Sequence, residues 1–357
     1  MTITVDCRMI NASGIGVYLR GCLPSFLLTR NNFNLIGESD KLTSFLHYSN
    51  VKVIECNVKP FSVKELLFFP AKILKNINNS NIFYSPFFNI PRGIKIPVYI
   101  TIHDIIFLDI PEIASKAGVA VRKWFFRRAY NKSKIIFTVS NFSKARIEHH
   151  LGACKNIIVT HSAVRPLFLE YRKNNKIIQK EQTIVFLGNI KKHKGLDTLL
   201  DAFKLAKEEG LHHKLLIIGS KEKFRTTDNA IIKKLETFED DSVSFTGFIS
   251  DDKLMELLSK ASLLVQPSVY EGFCLPPLEA MVLGTHALIS DIAVLKEIYS
   301  NFPVTYFKEG DILDLKENII KLLYNKPIIT LNLSDELRDK YAFEKTASVI
   351  LENILYK

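Results

Sequence analysis

Two glutamates, Glu271 and Glu279, stand eight positions apart in the stretch EGFCLPPLEAM at 271–281, separated by a glycine, two prolines and apolar residues. Carboxylates accept hydrogen bonds from hydroxyl groups, which sugars and riboses carry in number. Pro276 and Pro277 suit the first turn of a helix, because proline lacks the N–H that a helix start leaves unpaired. A helix N-terminus in turn attracts phosphate. The stretch therefore predicts a site for a ligand that is both phosphorylated and polyhydroxylated, such as a nucleotide sugar.

The elements that must position these carboxylates are strands and helices in alternation. The strand-like SLLVQPS at 262–268 precedes Glu271, which places this glutamate at the carboxyl end of a strand, where open α/β sheets bind ligands. The alternation runs through the N-terminal half and restarts at TIVFLG, at 183–188. Strands alternating with helices favour parallel sheets that are covered on both faces. We therefore predict an α/β protein with two Rossmann-like domains whose parallel sheets face each other across a cleft.

The chain length supports two domains, because 357 residues exceed what one hydrophobic core usually serves. We expect a first domain over 1–168 and a second over 183–340. The segment between them, 169–182, is polar, charged and without a firm period, so it is predicted as a linker.

The charge balance favours anionic partners. The net charge is +11, which suits nucleic acid, anionic lipid or a phosphorylated small molecule. The segment VRKWFFRRAYNKSK at 121–134 has six basic residues and no acid. As a helix it fits either an anionic membrane surface or a solvated face with a buried stripe. The aromatic residues interleaved in it are Trp124, Phe125, Phe126 and Tyr130.

Cysteine usage and hydropathy bear on location. The five cysteines are an odd number without a CxxC pair, which fits a reducing compartment. The N-terminus does not resemble a signal peptide, and no uncharged apolar stretch reaches the roughly 18 residues that span a bilayer. We expect a cytoplasmic protein, with peripheral attachment at the inner face of the plasma membrane as a further expectation.

Several motifs together resemble one family. EGFCLPPLEAMVLGTHALISD is similar to the Glu-x7-Glu signature of the retaining glycosyltransferases of family 4, which share the GT-B architecture. DCRMINASGIGVYLRGCLPSF, VYITIHDIIFLDIPE, FTVSNFSKARI and FLGNIKKHKGLDTLLDAF resemble other segments of these enzymes in the same order. The resemblance covers nearly the whole chain, and it implies that 341–357 is a helix crossing back to the first domain.

The resemblance also implies roles for individual residues. Glu279 would hold the ribose hydroxyls, and Glu271 would contact hydroxyls of the transferred sugar. Lys194 would meet the leaving diphosphate, where a fixed cation stabilises the developing charge. His103 would face the sugar from the other domain, although a histidine after an apolar strand also suits packing. The implied catalytic residues are His103, Lys194 and Glu271.

The donor-binding set has two kinds of member beyond Glu279. Glycines let a loop approach the phosphates closely, and backbone amides of the segment after Glu271 would line the sugar and diphosphate. The residues implied are Gly14, Gly16, Gly188, Asn189, Lys192, Phe273, Cys274, Leu275 and Glu279.

The sequence departs from the family pattern at two of these positions. Asn189 follows Gly188 where many relatives carry arginine, so Lys191 or Lys192 is the expected replacement cation. Cys274 stands where glycine is usual, so the backbone there is the open point.

The implied reaction is transfer of a sugar from a nucleotide diphosphate donor to a glycan acceptor, with retention of configuration. The style of the motifs is similar to bacterial enzymes of O-antigen or capsule assembly, so mannose from GDP-mannose is the first choice. The expected acceptor is a polyprenyl-diphosphate-linked oligosaccharide. No metal, no other cofactor and no nucleic acid partner are expected.

Two other readings stay open at this point. One is a non-catalytic or nucleic-acid-binding protein that uses its basic charge on a phosphate backbone. The other is a nucleotide-sugar epimerase or hydrolase on the same scaffold.

Overall fold

The computed structural model describes residues 1–175, 179–219, 234, 238, 241–325 and 340–356. The chain divides into two compact units. Unit 1 consists of Met1–Ala163 and Glu336–Lys357, and unit 2 is Val164–Asp335. None of the helices in the described ranges combines the length and apolarity that a bilayer-crossing segment requires.

Unit 1 is built on a seven-stranded parallel sheet with the strand order β3-β2-β1-β4-β5-β6-β7. Its central strands are buried along their length, which explains their almost uninterrupted apolar sequences. The strands are β1 Thr2–Asp6, β2 Asn32–Gly37, β3 Val51–Glu55, β4 Ile82–Ser85, β5 Val98–Ile102, β6 Ser133–Thr138 and β7 Asn156–Val159. The α-helices between them are α1 Ser13–Leu27, α2 Val63–Leu67, α3 Ala71–Asn78, α4 Ile106–Asp109, α5 Lys116–Lys132 and α6 Asn141–Leu151, with 3₁₀ turns at Ser39–Phe45 and Pro111–Ile113.

Unit 2 has a six-stranded parallel sheet with the order β10-β9-β8-β11-β12-β13. The strands are β8 Thr183–Leu187, β9 Lys214–Ile218, β10 Val243–Phe245, β11 Leu263–Gln266, β12 His286–Ser290 and β13 Thr305–Phe307. The helices are α7 Pro166–Asn174, α8 Leu196–Glu208, α9 Asp251–Lys260, α10 Pro276–Val282, α11 Ala293–Tyr299 and α12 Ile312–Asn325, with a 3₁₀ turn at Lys192–Lys194.

Both sheets confirm the predicted α/β class with two Rossmann-like domains. In each, the first strand of the unit lies beside the fourth, so the chain changes direction across the sheet at that point. Such a switch point leaves a crevice at the carboxyl ends of the two strands, where open α/β sheets bind ligands. In unit 2 the switch point lies between β8 and β11.

The helices are held by apolar faces on these sheets. Helix α8 shows this pattern, with Leu196, Leu199, Leu200 and Phe203 at helical spacing and all of them buried. They join a core cluster that includes residues of β8, β9, β11 and α12. This packing positions the turn that leads from β8 into α8.

The C-terminal helix α13, Phe343–Leu355, is grouped with unit 1. It packs on α1 so closely that a Cβ added at Gly21 would lie 2.4 Å from the Phe343 ring. Thr346 Oγ1 also donates a hydrogen bond to the His161 carbonyl at 2.6 Å. The last segment of the chain is therefore an integral part of unit 1.

The segment 169–182 was expected to be a linker between the domains, but it begins within a helix of unit 2. Helix α7 extends through its first residues to Asn174, and the two units divide earlier, between Ala163 and Val164. Only Phe168 on this short helix is fully buried, so the sequence carries little apolar periodicity to reveal it. Residues 176–178 of the segment lie outside the described residues.

Candidate functional site

The turn after β8 packs tightly against the end of β11. Gly195 closes this turn in the left-handed region at φ +66°, and a Cβ there would lie 1.9 Å from the Pro267 carbonyl oxygen. The Val269 N–H donates to the His193 carbonyl at 2.9 Å. Only glycine fits this approach, because a side chain would be strained by φ and would collide with backbone. The turn therefore presents Lys194 directly beside the residues that follow β11.

Lys194 and Glu271 form an ion pair at the switch point. The Lys194 ammonium donates to Glu271 Oε1 at 2.6 Å and to Oε2 at 2.8 Å. Ser268 Oγ donates to Glu271 Oε1 at 2.7 Å, and Gln266 Nε2 donates to Ser268 Oγ at 2.9 Å. The glutamate side chain is 9% exposed and the lysine side chain 21%. The fold thus brings together two predicted catalytic residues from opposite sides of the switch point.

Glu279 lies in the first turn of α10, which begins with two prolines as predicted. Arg165 Nε donates to Glu279 Oε1 at 2.9 Å, and Arg165 Nη1 reaches Asp251 Oδ1 at 2.5 Å. The same guanidinium lies over the Phe168 ring at 4.3 Å. Burial raises the pKa of the Glu279 carboxyl, and the charge of Arg165 opposes that rise. The Oε2 atom makes no hydrogen bond to the residues that the structure describes.

Cys274 adopts the left-handed backbone conformation that glycine favours, with φ at +71°. The Tyr299 hydroxyl donates a hydrogen bond to the Cys274 carbonyl, which holds the peptide in this orientation. Burial raises the pKa of the Cys274 thiol, and the nearby Glu271 charge raises it further. The thiol is therefore neutral near pH 7 and a poor nucleophile. Phe273 is buried beside it, and Leu275 is partly buried.

The remaining donor-binding candidates of unit 2 lie along the same turn. Gly188 follows β8, and its carbonyl oxygen would be 2.4 Å from a Cβ added at Gly219, so two strand ends approach closely here. Asn189 and Lys192 are exposed. Burial and the charge of Lys194 lower the pKa of His193 to about 4, so this imidazole is neutral and adds no cation.

The groups that could hold an ion differ between cations and anions. No three His, Cys, Asp or Glu side chains are grouped as a metal site would need within the described ranges. Three lysines, Lys191, Lys192 and Lys194, lie in the turn after β8. Their charge at the carboxyl edge of the sheet suits a phosphate-bearing ligand.

His103 follows β5 in unit 1, as predicted. Its Nε2 lies 2.9 Å from the Pro86 carbonyl oxygen, and its ring packs edge-on to Tyr18 at 4.9 Å between centroids. A carbonyl only accepts, so Nε2 carries the proton and Nδ1 keeps its lone pair. Burial lowers the pKa of His103 to about 4, against the opposing effect of the Pro86 carbonyl. The imidazole is therefore neutral near pH 7, and its role in catalysis stays a prediction.

Gly14 and Gly16 were expected to lie in a loop. The structure instead places both in the first turns of α1. The Gly16 N–H donates to the Ala12 carbonyl at 2.9 Å, and a Cβ at Gly16 would lie 2.4 Å from the Ile10 carbonyl oxygen. A Cβ at Gly14 would meet nothing within 4 Å. Gly16 is thus explained by close packing of the helix on its preceding turn.

Three residues of the site were missed by sequence reasoning: Arg165, Ser268 and Tyr299. Arg165 precedes the proline that starts α7, which marks a helix start but says nothing about its partner 114 positions away. Ser268 and Tyr299 act on backbone and carboxylate groups of the motif, and no local pattern signals such contacts. They become visible only when the strand ends are placed side by side.

Comparison with known proteins gives a family match in the second half of the chain. Residues 168–342 match the family described as glycosyl transferases group 1. This range contains the Lys194, Glu271 and Glu279 side chains described above.

Curated relatives are similar at low identity. The chain is 26% identical over 228 residues to O-antigen chain mannosyltransferase B of Escherichia coli, covering 61% of this chain and 58% of that enzyme. The chain thus spans less than two thirds of that relative's length. It is 26% identical over 330 residues to N,N'-diacetylbacillosaminyl-diphospho-undecaprenol alpha-1,3-N-acetylgalactosaminyltransferase of Campylobacter jejuni, covering 84% of each chain.

Solved structures share the fold of the whole chain. HepE of Anabaena, in complex with UDP and glucose, matches with a TM-score of 0.73 at 16% identity, covering 99% of both chains.

Proposed function

We propose that this protein is a retaining glycosyltransferase, because residues 168–342 match the family described as glycosyl transferases group 1 and the chain has a GT-B fold. It transfers a sugar from a nucleotide diphosphate donor to a hydroxyl of a glycan acceptor. The observation that carries the proposal is the Lys194–Glu271 ion pair at the switch point of unit 2, with Glu279 in the first turn of the following helix. A cation for diphosphate and two carboxylates for hydroxyls are the groups that a nucleotide sugar requires.

Lys194 is proposed to stabilise the departing diphosphate. As the bond between the sugar C1 and the diphosphate oxygen breaks, its electron pair stays on that oxygen and negative charge grows there. The turn fixed by Gly195 holds the lysine ammonium beside Glu271, close to this charge, and Lys194 exchanges the carboxylate for the diphosphate as its partner. The acceptor hydroxyl oxygen forms the new bond to C1 and its proton passes to the departing diphosphate, and positioning and charge stabilisation support this exchange.

Glu271 and Glu279 are proposed to read hydroxyl groups. Glu279 Oε1 is occupied by Arg165, so Oε2 is the oxygen proposed to accept from the ribose. The guanidinium and the helix start fix the direction of that carboxylate before the donor arrives. Glu271 is proposed to accept from the transferred sugar while Lys194 turns toward the diphosphate.

The relatives support a finer proposal on substrates. Mannose is the first choice of sugar because relatives are named O-antigen mannosyltransferases, and GDP-mannose is the matching donor. The Campylobacter relative is named for an acceptor on undecaprenol diphosphate, which supports a polyprenyl-diphosphate-linked glycan here. The proposed setting is O-antigen or capsule assembly at the inner face of the plasma membrane.

A thermal-shift screen against GDP, UDP, dTDP, ADP and their common sugar conjugates tests donor binding. A ligand that binds only the folded state stabilises it by about 2.7 kcal/mol at a hundred times its dissociation constant. We expect one nucleotide family to raise the melting temperature, and Glu279→Ala to remove most of that rise. Glu256→Ala, which changes a partly exposed glutamate of α9, is the matched control and should keep that rise.

Product analysis then distinguishes transfer from the alternatives. With the identified donor and a lipid-linked glycan, a transferase forms the extended glycan with the α or β configuration of the donor retained. Release of free sugar at the rate of donor consumption would indicate a hydrolase, and interconversion of donor sugars an epimerase. If no nucleotide stabilises a well-folded sample, the proposed donor site is wrong.

A further inference from the structure

Two segments of unit 1, 61–75 and 116–134, expose large apolar side chains to solvent. The first contains α2 and the start of α3, and the second contains α5. Phe68 is 70% exposed, Leu67 59% and Trp124 51%. Removing such side chains from contact with water is favourable, so a group of them on one surface marks an interaction site. The exposed apolar members are Phe61, Val63, Leu67, Phe68, Val121 and Trp124.

Ring contacts join the two segments. The Phe61 centroid lies 5.9 Å from that of Phe125, and the Phe125 centroid lies 5.1 Å from that of Trp124. Phe61 also contacts Phe88 at 5.1 Å, and Phe88 stacks on Phe126 at 3.9 Å. Phe61 and Trp124 thus rest on the partly buried Phe88 and the buried Phe125 and Phe126, and these ring contacts join the two segments into one surface.

Buried anchors fix the orientation of α2. Glu65, on its inner side, accepts from Arg8 Nη2 at 2.6 Å and from the Phe61 N–H at 2.8 Å. The Arg8 guanidinium lies 5.6 Å from the centroid of the buried Phe69 ring. Val63 and Leu67, two positions before and after Glu65, lie on the opposite side of this helix and are thereby held outward, and the exposed Phe68 follows directly after the helix. Exposure of these side chains is therefore a property of the folded unit rather than of a frayed end.

The charges around the apolar side chains are basic. The only acid within either segment is Glu65, which is fully buried, and both segments lie wholly in the described part of the chain. The nearest acids along the chain are Glu55 and Glu112, outside the segments. Among the exposed basic residues are Lys64, Lys72, Lys75, Lys116, Lys123 and Arg127. Together with the six exposed apolar side chains these six form what we call the basic aromatic surface.

We propose that the basic aromatic surface docks this protein on a membrane that contains anionic lipid. Lysine and arginine are attracted to anionic headgroups by about 1 kcal/mol each near the surface. Tryptophan and phenylalanine insert at the headgroup level beside them, and the long lysine side chains keep their ammonium groups in water while their stems lie on apolar surface. Aliphatic Val63 and Leu67 suit acyl chains and offer nothing to nucleic acid bases. The inference does not depend on sugar transfer, but it would hold unit 1 where a lipid-linked acceptor is found.

Tryptophan fluorescence provides a direct test, because Trp124 is the only tryptophan of the chain. The full-length protein is titrated with vesicles of phosphatidylcholine alone and of phosphatidylcholine with phosphatidylglycerol. We expect a blue shift of the emission and quenching by brominated acyl chains on the anionic vesicles only. Cosedimentation with anionic vesicles without any change in Trp124 emission would overturn the assignment of this surface, as would the absence of cosedimentation.

Paired variants test the two components of the surface. Lys64→Gln with Lys123→Gln should lower the partition coefficient on anionic vesicles about thirty-fold, from the headgroup attraction of two lysines. Leu67→Ser with Phe68→Ser should lower it at least about ten-fold. The controls remove equally exposed residues elsewhere, Lys204→Gln with Lys214→Gln and Leu28→Ser with Phe248→Ser, and should change little.

The remaining outcomes are also decisive. Equal losses in the control pairs would overturn the proposal, because binding would then depend on net charge or hydrophobicity alone. A dimer that becomes a monomer in the surface variants, with vesicle binding unchanged, would assign the surface to a second copy of this chain. No nucleotide sugar is present in these measurements, so they stand whether or not the proposed transfer is observed.

Discussion

The Lys194 ammonium donates hydrogen bonds to both carboxylate oxygens of Glu271, so each residue neutralises the charge of the other before a donor arrives. The ion pair is largely buried, and removing one partner of such a pair leaves the other uncompensated. A diphosphate can take the place of the carboxylate as the lysine's partner. This exchange distinguishes the two residues: Lys194 should matter for the diphosphate, and Glu271 for the sugar.

Substitution of the two partners should separate binding from transfer. Lys194→Gln should weaken nucleotide diphosphate binding at least about ten-fold, because a charge-assisted hydrogen bond is lost. Glu271→Gln should keep or strengthen that binding, since the competing carboxylate is gone, while transfer falls about a hundred-fold or more. Calorimetric titration with the diphosphate and turnover measurements check both, with Glu256→Gln as the control. Equal loss of diphosphate binding in both variants would show that the pair acts only as a scaffold.

Glu279 should make stability depend on pH. Its pKa lies above the ordinary value of 4.5, so from that pH upward to its own pKa the folded state binds more protons than the unfolded state. The contribution of Glu279 to the free energy of unfolding is therefore fully present below pH 4.5, and it is lost as the pH rises through this window. In Glu279→Gln that fall is absent, so the free energy of unfolding of the variant relative to the wild type should improve from pH 4 to pH 7. Urea unfolding monitored in unit 2 at both pH values measures the difference.

Glu256, a partly exposed glutamate, supplies the comparison for this effect. Lys253 and Lys260 lower the pKa of Glu256 to about 2, so its contribution is present above the ordinary pKa and is lost as the pH falls toward 2. The free energy of unfolding of Glu256→Gln relative to the wild type should therefore decrease from pH 4 to pH 7. The change should be small, because solvent screens exposed ion pairs. The same direction in both variants would contradict the assignment of a raised pKa to Glu279.

At the scale of elements, the site depends on the ends of two neighbouring strands and on the turns that leave them. The 3₁₀ turn after β8 packs on the end of β11, and α10 begins a few residues beyond Glu271. Cys274 lies between them in a left-handed conformation that Tyr299 holds from α11. The position of each side chain is therefore set by contacts between elements rather than by the element that carries it.

Gly195 and Gly210 allow this contact to be tested. Both have positive φ, +66° and +91°, but a Cβ at Gly210 would meet nothing within 4 Å. Gly210→Ala should cost about 1 kcal/mol of unfolding free energy, the cost of a left-handed alanine, and leave nucleotide binding unchanged. Gly195→Ala should cost at least about 2 kcal/mol and weaken nucleotide binding, because the turn must move away from Pro267. Equal effects of the two variants on stability and binding would contradict the packing described here.

At the scale of the whole molecule, the predicted residues are divided between two units, whose sheets share the same order over six strands. Unit 2 carries Lys194, Glu271 and Glu279, and unit 1 carries His103 with the helix that contains Gly14 and Gly16. Basic residues are concentrated in two places: lysines of unit 2 lie in the turn after β8, and basic residues of unit 1 form part of the basic aromatic surface. The proposed donor charge is thus met by side chains of one unit.

The proposed source of positive charge predicts the effect of chelators. Transfer by the full-length protein should be unchanged after treatment with EDTA, because lysine is proposed to neutralise the diphosphate. Turnover with and without EDTA, and with Mg²⁺ or Mn²⁺ restored, measures this. A loss that either cation reverses would show that a metal takes part, and the role given to Lys194 would need revision.

The sequence by itself determined the α/β class, the doubling of the Rossmann-like unit and the start of α10. These features are local: buried parallel strands need apolar runs, helices show their periodicity, and Pro276 and Pro277 suit the first turn of a helix. It also predicted a site for a phosphorylated and hydroxylated ligand, because carboxylates and lysines at strand ends are recognisable from residue type and order. It did not reveal α7, whose apolar face is short, or the helical position of Gly16.

Only the tertiary structure decided which charges meet. Lys194 reaches Glu271 across 77 positions and Arg165 reaches Glu279 across 114, because β8, β11 and the start of α7 converge in unit 2. It also decided that Cys274 takes a conformation favoured by glycine, held by a tyrosine 25 positions away. The basic aromatic surface likewise joins segments that the sequence separates. Such pairings depend on strand order and packing. Periodicity reports only on neighbours along the chain and composition only on residue content, so neither shows which distant residues come into contact.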